Sequence, residues 1–244
     1  MMRVKLPQRL HLQPVSCYST SSFSSLAEQI CQKPTQSLTQ HELNKINLLL
    51  PRLCLANNNN HLHTATNLTV AALLTNPPSN SISFSFLIHS LTSLPDLTLS
   101  KSLLNRLKHS PPTHPHLTPI TTKLIASFLK KGRPMEALKV YNWMIRSGFP
   151  CKVEPVVFGV LVNGFCEKEL LLEALKVLKD MTELGFAPNP KLRERVFRSL
   201  LREARIREAQ QLNEGLRDCV EDGGGEGLKK VIVLLDQIIA NWTE

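Results

Sequence analysis

Glycine, aromatic residues and long apolar runs are scarce in this sequence. The chain has 244 residues with only 10 glycines and 5% aromatic side chains, which argues against a large β-sandwich because such a fold needs many turns and bulky strand residues. No apolar run approaches the 18 or so residues of a membrane-spanning helix, so we expect no membrane association. None of the six cysteines stands in a Cys-x-x-Cys pair, and we interpret them as reduced, mostly buried thiols.

Acidic residues are scarce in the first half of the chain. Residues 1–134 carry 13 Lys or Arg against three acids, whereas residues 135–244 carry 16 basic residues against 17 acids. The formal net charge of +9 therefore belongs to the N-terminal half. For this reason the charge alone does not indicate a nucleic-acid partner.

Motifs that carry catalytic chemistry are missing as well. The sequence has no GxxxxGK[ST] loop, no GxSxG elbow and no HxE paired with PCxxC, which argues against a nucleotide hydrolase, an esterase and a zinc deaminase. The pairs His61-x-His63 and His114-x-His116 have no Cys or carboxylate nearby, so we expect no metal site. We predict a non-enzymatic protein without a cofactor.

The first 27 residues have the composition of a targeting segment. They contain Arg3, Lys5 and Arg9, a Ser/Thr-rich run and no acid, which is typical of an organellar transit peptide. The segment Cys17–Thr20 resembles a cleavage context of plant mitochondrial presequences. We predict import into the mitochondrion, while a plastid address and an ordinary basic tail remain open.

The central part of the chain is organised as a repeat. The pentapeptide Glu136–Val140 recurs letter for letter at Glu173–Val177, and Gly148 recurs at Gly185, each 37 residues later. Fixed spacing of this kind is the signature of a solenoid, whose end units are usually degenerate. We predict four units that span residues 82–118, 119–155, 156–190 and 191–217.

Each unit has two apolar stripes at helical spacing, which predicts a pair of α-helices. In the second unit the first stripe consists of Leu124, Ile125, Phe128 and Leu129, and the second of Ala137, Leu138, Tyr141 and Met144. The segment Gly132–Pro134 separates the stripes, with Pro134 suited to the first turn of a helix. Gly148 is placed to end the second helix in the left-handed conformation. The predicted fold class is all-α.

These units resemble the pentatricopeptide repeat family of plant organelles. The best match is Val156–Val162 with Gly164–Cys166, followed by Glu173–Leu175, Met181, Gly185 and Pro188–Asn189. Tetratricopeptide repeats also form helical hairpins, but their Trp/Gly/Tyr signature is missing from these units. The resemblance covers residues 82–217. It implies a right-handed α-solenoid whose first helices line a groove for single-stranded RNA, with one base read per repeat.

The resemblance also implies which residues contact RNA. On the first helices the base-reading position corresponds to Ser85, Thr122, Gly159 and Glu194. The partner position at the end of a repeat corresponds to Glu154 and Asn189. The residues that sandwich a base correspond to Ile82, Pro119, Val156 and Lys191. Among these, Gly159 has no side chain that could read a base edge.

A row of cations stands out in the fourth unit. Its members are spaced by four and three residues and therefore share one helical face; they are Lys191, Arg195, Arg198, Arg202 and Arg205. Lys130 occupies the position equivalent to Arg202 two units earlier, whereas Glu167 interrupts the series between them. Phosphate contacts and a merely solvated charged face both remain open.

The flanks of the array are predicted to be short helices and linkers. Residues 28–81 are expected to hold a helix from a capping box at Thr39–Glu42 to Pro51, a loop at Asn57–Asn60 and a short helix at Leu68–Leu74. Residues 218–227 read as a flexible linker. Residues 228–244 read as an amphipathic helix that covers the end of the stack, with docking of a partner as the alternative.

Two functions remain open at this point. Four hairpins read at most about four bases, so binding is expected to be weak, of low sequence specificity, and dependent on protein partners or a ribosomal assembly. The first hypothesis is an organellar adaptor that binds single-stranded RNA in RNA metabolism or translation. The second is a protein-binding scaffold, or a structural subunit of an assembly such as the mitochondrial ribosome.

Overall fold

A computed structural model of the chain describes residues 37–56, 59–78, 80–221 and 225–243. Over these ranges the chain forms α-helices, one short 3-10 turn at Pro111–Thr113, and no β-strand. The helices are α1 Gln40–Leu55, α2 Asn59–Leu74, α3 Ser85–Ser93, α4 Thr98–Lys108, α5 His114–Lys130, α6 Pro134–Met144, α7 Pro155–Glu167, α8 Leu171–Glu183, α9 Pro190–Arg202, α10 Ile206–Glu221 and α11 Gly225–Thr243. The predicted transit peptide, residues 1–27, lies outside the described residues.

The helices pair into consecutive hairpins that stack side by side. Each odd-numbered helix from α1 to α7 contacts the next odd-numbered helix, and each one from α1 to α9 packs against its own even-numbered partner. The fold is therefore the all-α solenoid of helical hairpins that the sequence predicts. A hairpin of α1 and α2 precedes the four predicted units and packs against α3 and α4. We call α3, α5, α7 and α9 the first helices and α4, α6, α8 and α10 the second helices.

The apolar stripes identified in the sequence form the core of the stack. Leu124, Ile125 and Phe128 of α5 are fully buried, as are Phe158 and Phe165 of α7. Adjacent first helices approach closely because α7 has a glycine at its contact with α5. A Cβ atom on Gly164 would lie 2.5 Å from Cδ1 of Leu129, so the side chain of Leu129 fills the space that this glycine leaves.

The turns repeat with the same period as the sequence. The residue between the two helices of a hairpin has a positive φ at Gly132 (69°), Glu169 (59°) and Ala204 (57°), at spacings of 37 and 35 residues. A non-glycine residue in this region costs about 1–2 kcal/mol, so the second and third of these turns carry strain that the first avoids. Gly185 (φ 82°) directly follows the C-cap of α8, as predicted. Helix α6 already ends at Met144, so Gly148 (φ 83°) lies in the turn beyond it, and the prediction that Gly148 ends this helix is wrong.

Side chains connect neighbouring second helices. The indole Nε1 of Trp143 on α6 donates to Oδ1 of Asn105 on α4 at 3.0 Å. The hydroxyl of Tyr141 on α6 donates to Oδ2 of Asp180 on α8 at 2.7 Å. Burial raises the pKa of the Asp180 carboxyl, and the hydrogen bond from Tyr141 opposes that shift. Each of these bonds joins two hairpins and so fixes their relative position.

The N-terminal helices are longer than predicted. The capping box is present, with the backbone N–H of Thr39 donating to Oε2 of Glu42 at 2.8 Å. However, α1 continues through Pro51 to Leu55, so the predicted end at Pro51 is wrong. A proline inside a helix loses one backbone hydrogen bond, and the burial of Leu53 in the next turn offsets that loss.

The second N-terminal helix also begins earlier than predicted. Helix α2 runs from Asn59 to Leu74 instead of from Leu68, because Leu62 and Ala65 extend its buried stripe towards the N-terminus. Asn59 and Asn60, predicted as part of a loop, are helical, and residues 57–58 lie outside the described residues.

The C-terminal helix packs against two earlier helices. Helix α11 contacts both α8 and α10, and its buried side comprises Leu228, Val231, Leu235 and Ile238. Lys179 of α8 forms an ion pair with Asp236 of α11 at 2.5 Å. The predicted linker, residues 218–227, is largely helical, since α10 runs to Glu221 and α11 begins at Gly225; residues 222–224 lie outside the described residues. No described helix combines the length and apolar content needed to cross a membrane.

Candidate nucleic-acid interface

The first helices present equivalent positions to solvent, one set per hairpin. Positions separated by 37, 37 and 35 residues lie in register because the hairpins repeat with that period. Three such sets are at least partly exposed: Ser85, Thr122, Gly159 and Glu194; Phe86, Lys123, Val160 and Arg195; and Ser93, Lys130, Glu167 and Arg202. We call the surface that these twelve residues form the first-helix face.

The cation row lies on α9, the last of the first helices. Leu192, Val196 and Leu200 are buried on the inner side of this helix, which leaves its outer side to the basic residues. These exposed residues line a shallow depression and are Lys191, Arg195, Arg198 and Arg202. Nε of Arg198 lies 2.6 Å from Oε1 of Glu194, an exposed ion pair of the kind that contributes little. The structure thus brings these four predicted residues together.

The fifth member of the predicted row does not belong to it. Helix α9 ends at Arg202, and the positive φ of Ala204 then reverses the chain. Arg205 consequently points away from the row and forms an ion pair with Glu208, with Nη2 2.6 Å from Oε1. Its guanidinium also lies 4.1 Å from the ring centroid of Trp242 on α11. The prediction that Arg205 shares the face is wrong, since its role is to join α11 to the last hairpin.

A second basic depression lies between α3 and α5. It is lined by Ser85, Ile88, His89, Lys123, Ala126, Ser127, Lys130 and Lys131, and we call it the α3–α5 cleft. Lys130 was predicted as a contact residue, but Lys123 was not. The sequence contained a signal for Lys123, because it lies seven residues before Lys130 and residues with this spacing share one helical face.

Not every lysine of the cleft is available for binding. Nζ of Lys131 donates to the carbonyl of His89 at 2.6 Å and to Oγ of Ser93 at 2.5 Å. Burial lowers the pKa of the Lys131 ammonium, and the charge of Arg133 lowers it further. Arg133 itself donates to the carbonyls of Thr92, Leu94 and Pro95. Both residues therefore tie α5 to the end of α3, and Lys123 and Lys130 remain as the exposed cations.

The predicted base-reading residues are poorly equipped for reading bases. The hydroxyl of Thr122 donates to the carbonyl of Thr118 at 2.8 Å, and Oδ1 of Asn189 accepts from the backbone N–H of Leu192 at 2.9 Å as the N-cap of α9. Gly159 faces open space. Glu154 is exposed and makes no side-chain capping bond. Of the six predicted residues, Thr122 and Asn189 are thus engaged in helix structure, Glu194 pairs with Arg198, and Gly159 has no side chain.

The residues predicted to sandwich a base differ in their exposure from hairpin to hairpin. Pro119 and Lys191 are exposed and Val156 is 53% exposed, as contact with a base requires. Ile82 is only 4% exposed, so its predicted contact is wrong. The hairpin of α1 and α2 explains the difference. Its Asn47 bonds the backbone on both sides of Ile82, donating to the carbonyl of Ser81 at 2.7 Å and accepting from the N–H of Ser83.

Comparison with known proteins identifies the repeat. A family model described as the PPR repeat matches residues 121–149 and 156–186, which are the hairpins α5–α6 and α7–α8. These two hairpins are similar to pentatricopeptide repeats, as the sequence predicts. Over 68 residues it is 34% identical to a chloroplastic pentatricopeptide repeat-containing protein of Arabidopsis thaliana, a stretch that covers 28% of this chain and 9% of that relative. The chain therefore spans only a small part of the length of the relative.

The hairpin geometry extends beyond the two matched repeats. The hairpin α9–α10 has the same turn, with the N–H of Arg205 donating to the carbonyl of Leu200 at 3.0 Å. The corresponding bond in the first matched repeat runs from Arg133 to the carbonyl of Phe128 at 2.9 Å. The array is thus continuous through α9, where the cation row lies.

The side chains of His114 and His116, the second predicted pair, are partly buried by the packing of the chain. Nε2 of His114 lies 2.9 Å from the carbonyl oxygen of Lys108. His116 is half-buried, and burial lowers the pKa of its imidazole. Within the described residues, no three His, Cys, Asp or Glu side chains are grouped so as to hold a metal ion.

Proposed function

We propose that this protein binds single-stranded RNA in an organelle and acts as a non-enzymatic adaptor in RNA metabolism or translation. One observation carries the proposal, namely the exposed row of Lys191, Arg195, Arg198 and Arg202 on the last first helix. Cations that are spaced along one helix and accessible to solvent suit the phosphates of a single strand. Lys130 provides an equivalent cation two hairpins earlier.

The binding is weak and nearly independent of sequence. Few of the predicted reading residues are free to contact bases, since Thr122 and Asn189 bond the backbone and Gly159 has no side chain. Most of the affinity therefore comes from phosphate contacts, which carry no sequence information. Selection of a particular RNA then requires protein partners or a ribosomal assembly that positions this chain.

The organelle is proposed from the first 27 residues. Their basic, acid-free, Ser/Thr-rich composition suits a transit peptide, and the resemblance at Cys17–Thr20 supports the mitochondrion. The Arabidopsis relative is described as chloroplastic, which supports the plastid as the alternative.

A protein-binding scaffold, or a structural subunit of an assembly such as the mitochondrial ribosome, is the alternative function. A specific surface favours it. Ile145 is 43% and Leu184 55% exposed, and both line a depression with Phe149, Val153 and Phe186 at the ends of the second helices α6 and α8. Exposed apolar side chains that cluster around a depression are typical of protein contacts.

A salt titration of RNA affinity tests the proposed function. We expect a 12-nucleotide single-stranded RNA to bind at low salt, with a logarithmic slope of affinity against salt of about −3, because each of about four phosphate contacts contributes about −0.7. Fluorescence anisotropy measures the binding. Absence of binding at low salt would remove the proposal, and retention of ribosomal proteins on the tagged chain after RNase treatment of an organelle extract would then favour the scaffold.

A further inference from the structure

We infer that the first-helix face holds one RNA strand at two separate phosphate-binding sites, the α3–α5 cleft and the row on α9, with α7 between them as a spacer that reads no base. This inference rests on the proposed function and deepens it. Its basis is the uneven distribution of charge along the repeated positions. Exposed cations occupy these positions on α5 and α9, whereas α7 has Glu167 there.

The α3–α5 cleft has the properties of a phosphate site. Lys123 and Lys130 are exposed, two helical turns apart on α5, and within the described residues neither forms an ion pair with an acid. Ser85 of α3 lines the same cleft and adds a hydroxyl donor. Two cations and a hydroxyl on facing helices can hold one or two phosphates of a strand that crosses from α3 to α5.

The row on α9 has the properties of a second site. Lys191, Arg195 and Arg202 are exposed and, within the described ranges, none is bonded to an acid. Arg198 shares its charge with Glu194, with Nε 2.6 Å from Oε1. The guanidinium groups can hold phosphates through paired hydrogen bonds.

The helix between the two sites carries no comparable charge. In the three equivalent sets, the positions on α7 are Gly159, Val160 and Glu167, and the exposed Asn163 stands where α9 has Arg198. Glu167 is exposed and lies 3.8 Å from Nζ of Lys168, so the charge of this lysine is offset by a neighbouring carboxylate. A phosphate over α7 would meet a carboxylate in place of the lysine or arginine that occupies the equivalent position on α5 and α9. Gly159 leaves open space where a base-reading side chain would stand.

The distance between the sites sets the length of strand that can bridge them. Packed helices lie about 8–10 Å apart, so the two helix steps from α5 to α9 cover about 16–20 Å. At one base per hairpin, a strand that reaches from α3 to α9 has at least about four nucleotides. A strand of this length gains from both sites at once, because the second contact forms at high effective concentration, whereas a shorter one occupies a single site.

The test compares two oligonucleotides, U3 and U12, on the full chain. We expect Lys123→Ala with Lys130→Ala to weaken U12 binding about 30-fold, at about 1 kcal/mol for each lost contact, and to change U3 binding less than threefold because U3 occupies the row on α9. The matched control, Lys101→Ala with Lys139→Ala, removes two exposed lysines from the second helices and is expected to leave both affinities unchanged.

The outcomes separate the inference from the proposed function. If the Lys123/Lys130 variant binds U12 within twofold of the unaltered chain, while Arg195→Ala with Arg202→Ala weakens it, RNA binds at one site and the inference is wrong. If the unaltered chain does not bind U12, the proposed function itself fails. Equal loss of U3 and U12 in the Lys123/Lys130 variant also contradicts two separate sites. Circular dichroism melts confirm that each variant is folded.

The spacer role of α7 has its own readout. The unaltered chain is expected to bind U12, A12 and C12 within about threefold of one another, since phosphate contacts do not distinguish bases. Gly159→Asn places an amide in the open space and is expected to spread these affinities more than threefold, because amides hydrogen-bond base edges. A preference above tenfold in the unaltered chain, or no change in Gly159→Asn, would overturn the assignment of α7 as an empty reading position.

Discussion

Replacing Arg195, Arg198 and Arg202 with alanine is expected to weaken the binding of single-stranded RNA about 100-fold at low salt. Each guanidinium is exposed on one side of α9, and a charge-assisted phosphate contact contributes about 1–1.5 kcal/mol net. Three contacts therefore amount to about 3 kcal/mol, or about 100-fold in the dissociation constant. The salt slope should become less steep by about 2, because three contacts of about −0.7 each are lost. Anisotropy titrations at several salt concentrations measure both quantities.

A charge-matched variant controls for net charge. Lys101, Lys139 and Arg207 are exposed on the second helices α4, α6 and α10, so their replacement by alanine removes the same charge away from the first-helix face. We expect this variant to keep the affinity within about threefold and the slope near its original value. Equal effects of the two triple variants would show that RNA responds to net charge alone and would remove α9 as the binding surface.

Alanine substitutions at two glycines of α7 are expected to change stability in opposite directions. At Gly159 a new Cβ meets open space, and alanine in a helix interior is favoured over glycine by about 0.5–1 kcal/mol. At Gly164 the new Cβ would lie 2.5 Å from Cδ1 of the buried Leu129, and overpacking of this kind costs about 1–3 kcal/mol. We expect the free energies of unfolding of the two variants to differ by about 2 kcal/mol in urea denaturation.

A double-mutant cycle identifies the contact responsible. Leu129→Ala alone removes a buried side chain and is expected to cost about 2–5 kcal/mol. Combined with Gly164→Ala, it also removes the clash, so the pair should cost less than the sum of the two single changes by about 1 kcal/mol or more. Additive costs would mean that α5 and α7 do not approach at this point, which would contradict the packing of adjacent hairpins.

The hairpins could be predicted from the sequence because two signals agree there. The apolar spacing around Phe128 and Phe165 predicts buried helix faces, and Gly132, Gly148 and Gly185 mark the turns at a fixed period. The full lengths of α1 and α2 were missed because Pro51 and the run of four asparagines after Ala56 look like helix breakers. Their effect on the local backbone is outweighed by tertiary burial of residues such as Leu53 and Leu62.

The candidate site was predictable only in part. Spacing alone places Arg195, Arg198 and Arg202 on one face of α9, and the structure agrees. It could not show that Arg205 turns towards Trp242, since that depends on where α9 ends and on where α11 packs. Spacing also could not show that Thr122 and Asn189 bond the backbone. Each of these side chains has several possible hydrogen-bond partners, and the local geometry of the folded chain decides among them.

Photo-crosslinking tests most directly whether RNA lies across the first helices. A 12-nucleotide RNA containing 4-thiouridine is bound to the full chain, irradiated and digested, and the crosslinked peptides are identified by mass spectrometry. We predict crosslinks in the peptides that contain Pro119, Lys123 and Val156 and in those of α9. Crosslinks concentrated on the second helices, or around Ile145 and Leu184, would contradict the first-helix face as the RNA-binding surface.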